Sequence, residues 1–102
     1  MTTGPSFWET FSPHFKDLTS DVLFGDVWER PTLSKRDRSL ITVAALIVMY
    51  RTDQLRAHFR RALDNGVTKE ELGEMCLHLA FYGGWPVTAN AIQVAQQVLE
   101  QG

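Results

Sequence analysis

Large apolar residues recur along this chain at intervals of three and four, the spacing that places side chains on one helical face. From Pro5 to about Phe24 the series is Phe7, Trp8, Phe11, Phe15, Leu18, Val22 and Leu23. Pro13 interrupts it, and a proline lacks the N–H that a helix interior needs, so the spacing allows two short helices. Phe24–Leu33 contains Gly25 and Pro31 and reads as a loop or a short helix with a turn. Ser34 opens the next helix, with Asp37 in the first turn, where the helix dipole favours an acid. Its Ser39–Tyr50 stretch is apolar almost all round, which puts this helix at the centre of a fold or an assembly. The β-branched content is compatible with a strand, but the length and the capping signal favour a helix.

Three more helices follow. Thr52 or Asp53 is expected to cap the first, which carries Leu55, Phe59, Ala62 and Leu63 and stops at Asn65-Gly66. Thr68 and Glu71 form a T-x-x-E capping box for the second, whose core face is Leu72, Met75, Cys76 and Leu79 to about Phe81. Gly83-Gly84-Trp85-Pro86 breaks the pattern, and Pro86 suits the first turn of the last helix. That helix buries Val87, Ala91, Val94, Ala95 and Val98 and ends near Glu100. No period-two alternation is flanked by turn signals, and no linker or internal repeat appears. The expected fold is one all-α domain over residues 1–102, with five to six helices.

Charge and cysteine content narrow the function. Ten basic and twelve acidic residues leave a formal charge of −2, which argues against nucleic-acid binding and against a polybasic membrane anchor. The longest apolar run, Val43–Tyr50, is eight residues, too short to span a bilayer. Met1–Phe11 lacks the basic start and apolar centre of a signal peptide, and the single Cys76 excludes an intrachain disulfide, so a cytoplasmic location is expected. Three Trp, six Phe and two Tyr are a large aromatic load for a short chain, and some of that surface is available for burial between subunits.

The residues able to do chemistry lie on the third and fourth of these predicted segments. His58 falls between Leu55 and Phe59 on the apolar face, as a buried structural histidine or as a general acid or base. Glu71, Glu74, His78 and Tyr82 share one stripe, either a solvated face or an acid–histidine pair lining a cleft. His14, among bulky apolar residues, reads as structural. Arg51 either closes a helix end or grips a carboxylate with its planar fork. Arg56, Arg60 and Arg61 read mostly as surface, and Cys76 as buried and inert. Gly83-Gly84 permits a close backbone approach. His58 and His78 sit on different helices with no Glu-x-x-His pair serving both, so no metal site is expected, and no phosphate-binding glycine loop is present.

Longer strings are more specific. Leu23-Phe24-Gly25-Asp26-Val27-Trp28, then Leu33 through Leu46 with its R-D-R-S-L-I-T-V core, then His58 with Gly66, Thr68-Lys69-Glu70-Glu71 and His78-Leu79-Ala80-Phe81-Tyr82-Gly83-Gly84-Trp85-Pro86 resemble the carboxymuconolactone decarboxylase family, within the alkyl-hydroperoxidase D-like superfamily. The resemblance covers roughly Phe15 to Leu99. It implies an all-α subunit in a homotrimer or homohexamer, and a cofactor-free lyase that releases CO₂ from 4-carboxymuconolactone or a related anionic lactone in aromatic-compound catabolism. Arg51 and Gln54 stand where the superfamily's redox members carry Cys-x-x-Cys, so peroxide chemistry lacks its two sulfurs. On this resemblance Arg51, Trp85, Gly84 and Glu74 bind substrate, and His58, His78 and Tyr82 are catalytic. A peroxide-handling relative and a non-enzymatic oligomeric module are the alternatives.

Overall fold

Helix ends, more than helix interiors, set the architecture of this chain, seen in a computed structural model that describes residues 7–100. The chain divides into two compact units, Met1–Ser34 and Lys35–Gly102.

The first unit holds α1 (Phe7–Phe11) and α2 (Pro13–Leu18), a π-helical turn at Thr19–Leu23 and a 3₁₀ turn at Val27–Glu29. The break predicted at Pro13 is present: the chain leaves the helix at Ser12 and Pro13 starts α2, where its missing N–H is not needed. Phe7 and Phe11 stack with ring centroids 4.8 Å apart. Yet Phe7, Phe11, Phe15, Leu18, Val22 and Leu23 are all exposed, so the first unit does not bury this apolar face within itself. Pro5 and the Trp8 side chain, counted above in that face, lie outside the described residues. His14 is exposed as well, against the structural role read from its neighbours, because α2 buries none of its residues. Trp28 is buried and packs beside Phe24, with centroids 5.8 Å apart.

The second unit is a four-helix arrangement of α3 (Lys35–Val48), α4 (Thr52–Asp64), α5 (Lys69–Gly83) and α6 (Trp85–Glu100). No strand occurs among the described residues. α3 packs against all three of the others, and α6 packs against α4 and α5. The core joins Val43 and Ile47 of α3, Leu55, Phe59 and Ala62 of α4, Leu72 and Cys76 of α5, and Ala91, Val94 and Val98 of α6. The nearly uniform apolar stretch of α3 and the residues after it is therefore not all buried: Ile41, Met49 and Tyr50 are exposed.

Polar ties on the rim fix the register of this core. Asn65 donates through Nδ2 to Ser39 Oγ at 3.0 Å, and Arg56 Nη2 donates to Gln97 Oε1 at 2.6 Å. The Thr68–Glu71 capping box forms in both directions, and Glu71 also pairs with Arg36. The Thr68 backbone N–H and the Arg36 guanidinium hold the Glu71 carboxyl below its usual range. Glu71 is thus spent on capping α5 and tying it to α3.

Two helix ends differ from the sequence expectation. Arg51, not Thr52 or Asp53, is the N-cap of α4, and no side chain caps it. The α5–α6 corner is a single residue, Gly84 at φ 111°, rather than the whole Gly83–Pro86 string. Gly83 is still the last residue of α5, and there its missing side chain matters: a Cβ would lie 2.6 Å from Val48 Cγ1 and 3.3 Å from Val48 Cβ. Val48 is β-branched and stiff at χ1, so it cannot turn aside cheaply. Gly83→Ala is expected to destabilise by about 1–3 kcal/mol through overpacking. Gly73→Ala, at an exposed position of α5 where a Cβ meets nothing within 4 Å, is expected to stabilise by about 0.5–1 kcal/mol. Urea unfolding midpoints of the two variants read both signs.

Candidate active site

The Leu46–Leu55 junction positions the first two candidates. Arg51 donates its backbone N–H to the Leu46 carbonyl at 2.9 Å, and its own carbonyl accepts from Leu55 N at 3.0 Å. The residue that closes α3 thereby begins α4. Its side chain is exposed. His58 lies seven residues further, which on an α-helix is two turns along and about 20° around. Arg51, the N-cap, therefore precedes the half-buried His58 by two turns of α4.

His58 is half-buried, with ring atom Nδ1 buried. Burial, and then the positive charge of Arg61 one turn on, push its pKa below the ordinary histidine value. The imidazole is neutral at neutral pH. This is neither the fully buried structural histidine nor an open surface group, but a partly shielded base beside a cation.

The α5 candidates are arranged differently. Glu74, His78 and Tyr82 form the expected stripe, and the His78 and Tyr82 rings lie 4.9 Å apart. His78 lies about 200° around α5 from the buried Cys76, so it points away from the core. Tyr82 is 77% exposed. α5 packs against α3 and α6 rather than against α4. Within one chain His58 and His78 are thus not brought together. Trp85 is 64% exposed, packs edge-on against Phe81 at 6.0 Å, and follows Gly84 at the corner.

The cavities do not coincide with these side chains. A cavity of about 480 Å³ lies between α5 and α6, over Leu72, Cys76 and Ile92. A second, of about 200 Å³, is lined by Leu77, Trp85 and Thr88. Trp85 alone among the candidates borders either. Cys76 touches the larger one but is buried, and burial pushes its thiol pKa up, which makes it a poor nucleophile. No group of three or more His, Cys, Asp or Glu side chains placed to hold a metal occurs among the described residues.

Two polar residues of this region escaped the sequence reading. Asn90, on the second turn of α6, donates through Nδ2 to the Pro86 carbonyl at 3.0 Å and to the Tyr50 hydroxyl at 3.3 Å. Tyr50 immediately precedes Arg51. The sequence signal for the pair is faint, since an Asn at i+4 from a helix-opening proline is unremarkable. The pair joins the end of α3 to the Gly84 corner, beside the close packing of Val48 on Gly83.

Comparison with known proteins bears on this site. The model of the carboxymuconolactone decarboxylase family matches residues 13–97. The chain is 41% identical over 90 residues to the 4-carboxymuconolactone decarboxylase of Acinetobacter baylyi, across 88% of this chain and 67% of that protein. It is 37% identical over 84 residues to the nitrosuccinic acid decarboxylase of Metarhizium robertsii, across 82% of this chain and 59% of that one. An uncharacterized 15.0 kDa protein of Paracoccus denitrificans is 34% identical over 80 residues, across 76% and 60%. The chain therefore spans about two thirds of the first relative and about six tenths of the others.

The His58 environment has a measurable consequence. A histidine whose folded pKa lies below the unfolded value binds fewer protons when folded, so its contribution to stability is present above about pH 6.5 and is lost as pH falls through the folded value. NMR titration is expected to show the His58 ring protonating below the ordinary range, and Arg61→Gln is expected to raise that midpoint. A His58 midpoint unmoved by Arg61→Gln removes the charge from the explanation.

Proposed function

The chain belongs to the carboxymuconolactone decarboxylase family, and on that premise we propose that it is a cofactor-free, CO₂-releasing lyase acting on 4-carboxymuconolactone or a related anionic lactone in aromatic-compound catabolism. The observation that carries this reading is an exposed arginine, Arg51, at the N-cap of α4 with the half-buried His58 two turns along the same helix. The two named decarboxylase relatives support the substrate class. Nitrosuccinic acid and 4-carboxymuconolactone are both polycarboxylic, and each carries a group able to accept the electrons a departing carboxylate leaves behind.

The chemistry fits the residues. In the lactone, the C–C bond to the departing carboxylate breaks and its electron pair moves through the conjugated C=C bond to the lactone carbonyl. The substrate supplies its own electron sink, so the reaction calls for no cofactor. CO₂ leaves, a dienolate forms, and one proton is added to the carbon beside the lactone carbonyl. The balance is substrate dianion plus one proton going to CO₂ plus the enol-lactone monoanion.

Arg51 grips a carboxylate that is not lost, through two parallel hydrogen bonds. His58 carries the proton. His78, Tyr82 and the backbone N–H groups at Gly83–Gly84 are the donors for the dienolate oxygen, with Glu74 orienting His78. Trp85 shields the site from water. The exposure of His78, Tyr82 and Trp85, and the open apolar face of the N-terminal unit, support a site closed by a second copy of the chain in a homotrimer or homohexamer. A peroxide reaction has no support from the buried Cys76 thiol.

Purified protein is expected to release CO₂ from 4-carboxymuconolactone at roughly 1–10³ per second. His58→Gln is expected to lower kcat by about 10²–10⁴-fold. Arg51→Lys, which keeps the charge and loses the fork, is expected to act chiefly on KM. Folded wild-type protein that leaves the lactone intact rejects the proposed reaction, and unchanged turnover in His58→Gln removes that residue from the mechanism.

A further inference from the structure

Two helix ends in this chain are built alike. At the end of α4, Gly66 donates to the Leu63 carbonyl at 3.1 Å and Val67 to the Ala62 carbonyl at 2.9 Å. At the end of α3, Tyr50 donates to the Ile47 carbonyl at 3.1 Å and Arg51 to the Leu46 carbonyl at 2.9 Å. Both are the paired 5→2 and 6→1 closure that places one residue in the left-handed region. At the α4 end that residue is Gly66, φ 99°, which suits it. At the α3 end it is Tyr50, φ 62°. A residue with a Cβ is disfavoured there, and a bulky one most of all.

Core packing does not offset the strain, because Tyr50 is 58% exposed. Its interaction with the protein is polar. The phenol oxygen accepts from Asn90 Nδ2, and the same Asn90 amide nitrogen donates to the Pro86 carbonyl. With Asn90 donating to it, the phenol keeps its own hydrogen to give. Among the described residues no acceptor is shown taking that hydrogen. The result is an exposed donor, braced from α6 and polarised by the bond it accepts, one residue before Arg51.

We infer that Tyr50 is a substrate-recognition residue, donating to a carboxylate or carbonyl oxygen of the anion that Arg51 grips, with Asn90 as its positioning residue. Strained backbone is a known accompaniment of such sites. The inference rests on the reading of Arg51 as the anion-binding residue, and it adds a donor that neither the family strings nor the cavities single out.

The test compares wild type, Tyr50→Phe and Tyr50→Gly. Three quantities are read: Tm without ligand, the Tm shift caused by adipate (a six-carbon dicarboxylate that has no conjugated lactone and does not react), and KM and kcat with 4-carboxymuconolactone. Tyr50→Gly is expected to raise the ligand-free Tm by about 4 °C or more, as strain is released. Both variants are expected to lose the adipate shift and to raise KM about tenfold, with kcat within about threefold of wild type. Tyr50→Phe that keeps the wild-type adipate shift and KM overturns the inference while leaving the decarboxylase reading in place. So does a lower ligand-free Tm for Tyr50→Gly, which makes the side chain a structural support. Wild type that is shifted by adipate but does not decarboxylate the lactone rejects the proposed reaction alone, and the inference is then decided by whether Tyr50→Phe keeps that shift. Wild type that neither shifts with adipate nor turns over the lactone overturns the inference as well.

Discussion

The rest of the second unit depends on the backbone of one residue, Arg51. Its N–H closes α3 on the Leu46 carbonyl, and its carbonyl accepts the first hydrogen bond of α4 from Leu55. The connection is only three residues, Met49, Tyr50 and Arg51, each with its N–H tied back to α3, which restricts the angle between the two helices. The direction of α4 then follows, and with it the headings of Arg51, His58 and the core face of Leu55, Phe59 and Ala62. Helix ends normally leave several N–H and C=O groups to be satisfied by other means. Here the end of one helix and the start of the next share a residue, and that residue also carries a fork-shaped cation.

The same economy recurs at the second corner. Gly84 alone separates α5 from α6, and only a residue without a Cβ takes φ 111° with ψ 151° at no cost. The two corners meet, since Val48 of α3 rests on the Cα of Gly83 with no space for a methyl group. A few connecting residues therefore lie close together at one end of the unit, among them Tyr50, Asn90 and the Gly84 peptide. Loops positioned by a rigid scaffold are where binding residues concentrate, because a side chain at a corner is held by two helices and covered by neither.

This explains what could be read in the sequence and what could not. The stripes of α4, α5 and α6 and the Thr68–Glu71 box depend on local spacing and local hydrogen bonds, and those signals are written in order along the chain. Asn65-Gly66 announced the end of α4 because glycine favours the left-handed region. Tyr50 performs the same turn with no such preference, so it read as one more apolar residue of α3. Glu71 was legible as a cap but not as the partner of Arg36, a tie that spans 35 positions. His58 was placed on the apolar face, yet its half-burial is set by tertiary packing and its lowered pKa by that burial and by Arg61, neither of which helical spacing shows. The stripe of Glu74, His78 and Tyr82 was equally clear, but period alone says which residues share a face and not which way that face looks.

The proposed reaction requires a chain of net charge −2 to attract an anion, and the local charges decide whether it can. Arg51 heads α4, whose N-terminal dipole adds a partial positive charge, while Arg56, Arg60 and Arg61 follow along the same helix. Arg56 is engaged with Gln97, and Arg61 is the cation that lowers the His58 pKa. In the free protein burial, and after it the charge of Arg61, lower the His58 pKa, so the imidazole adds no charge to a cationic helix. On the proposed role of Arg51, an anion held there adds negative charge along that helix and favours the imidazolium. His58 would then take up a proton on binding and have it available for the carbon that the departing CO₂ leaves electron-rich. A histidine already charged in the free state would gain nothing from substrate. One shielded too deeply would not charge at all. Half-burial beside an arginine, two turns from Arg51, lies between those limits.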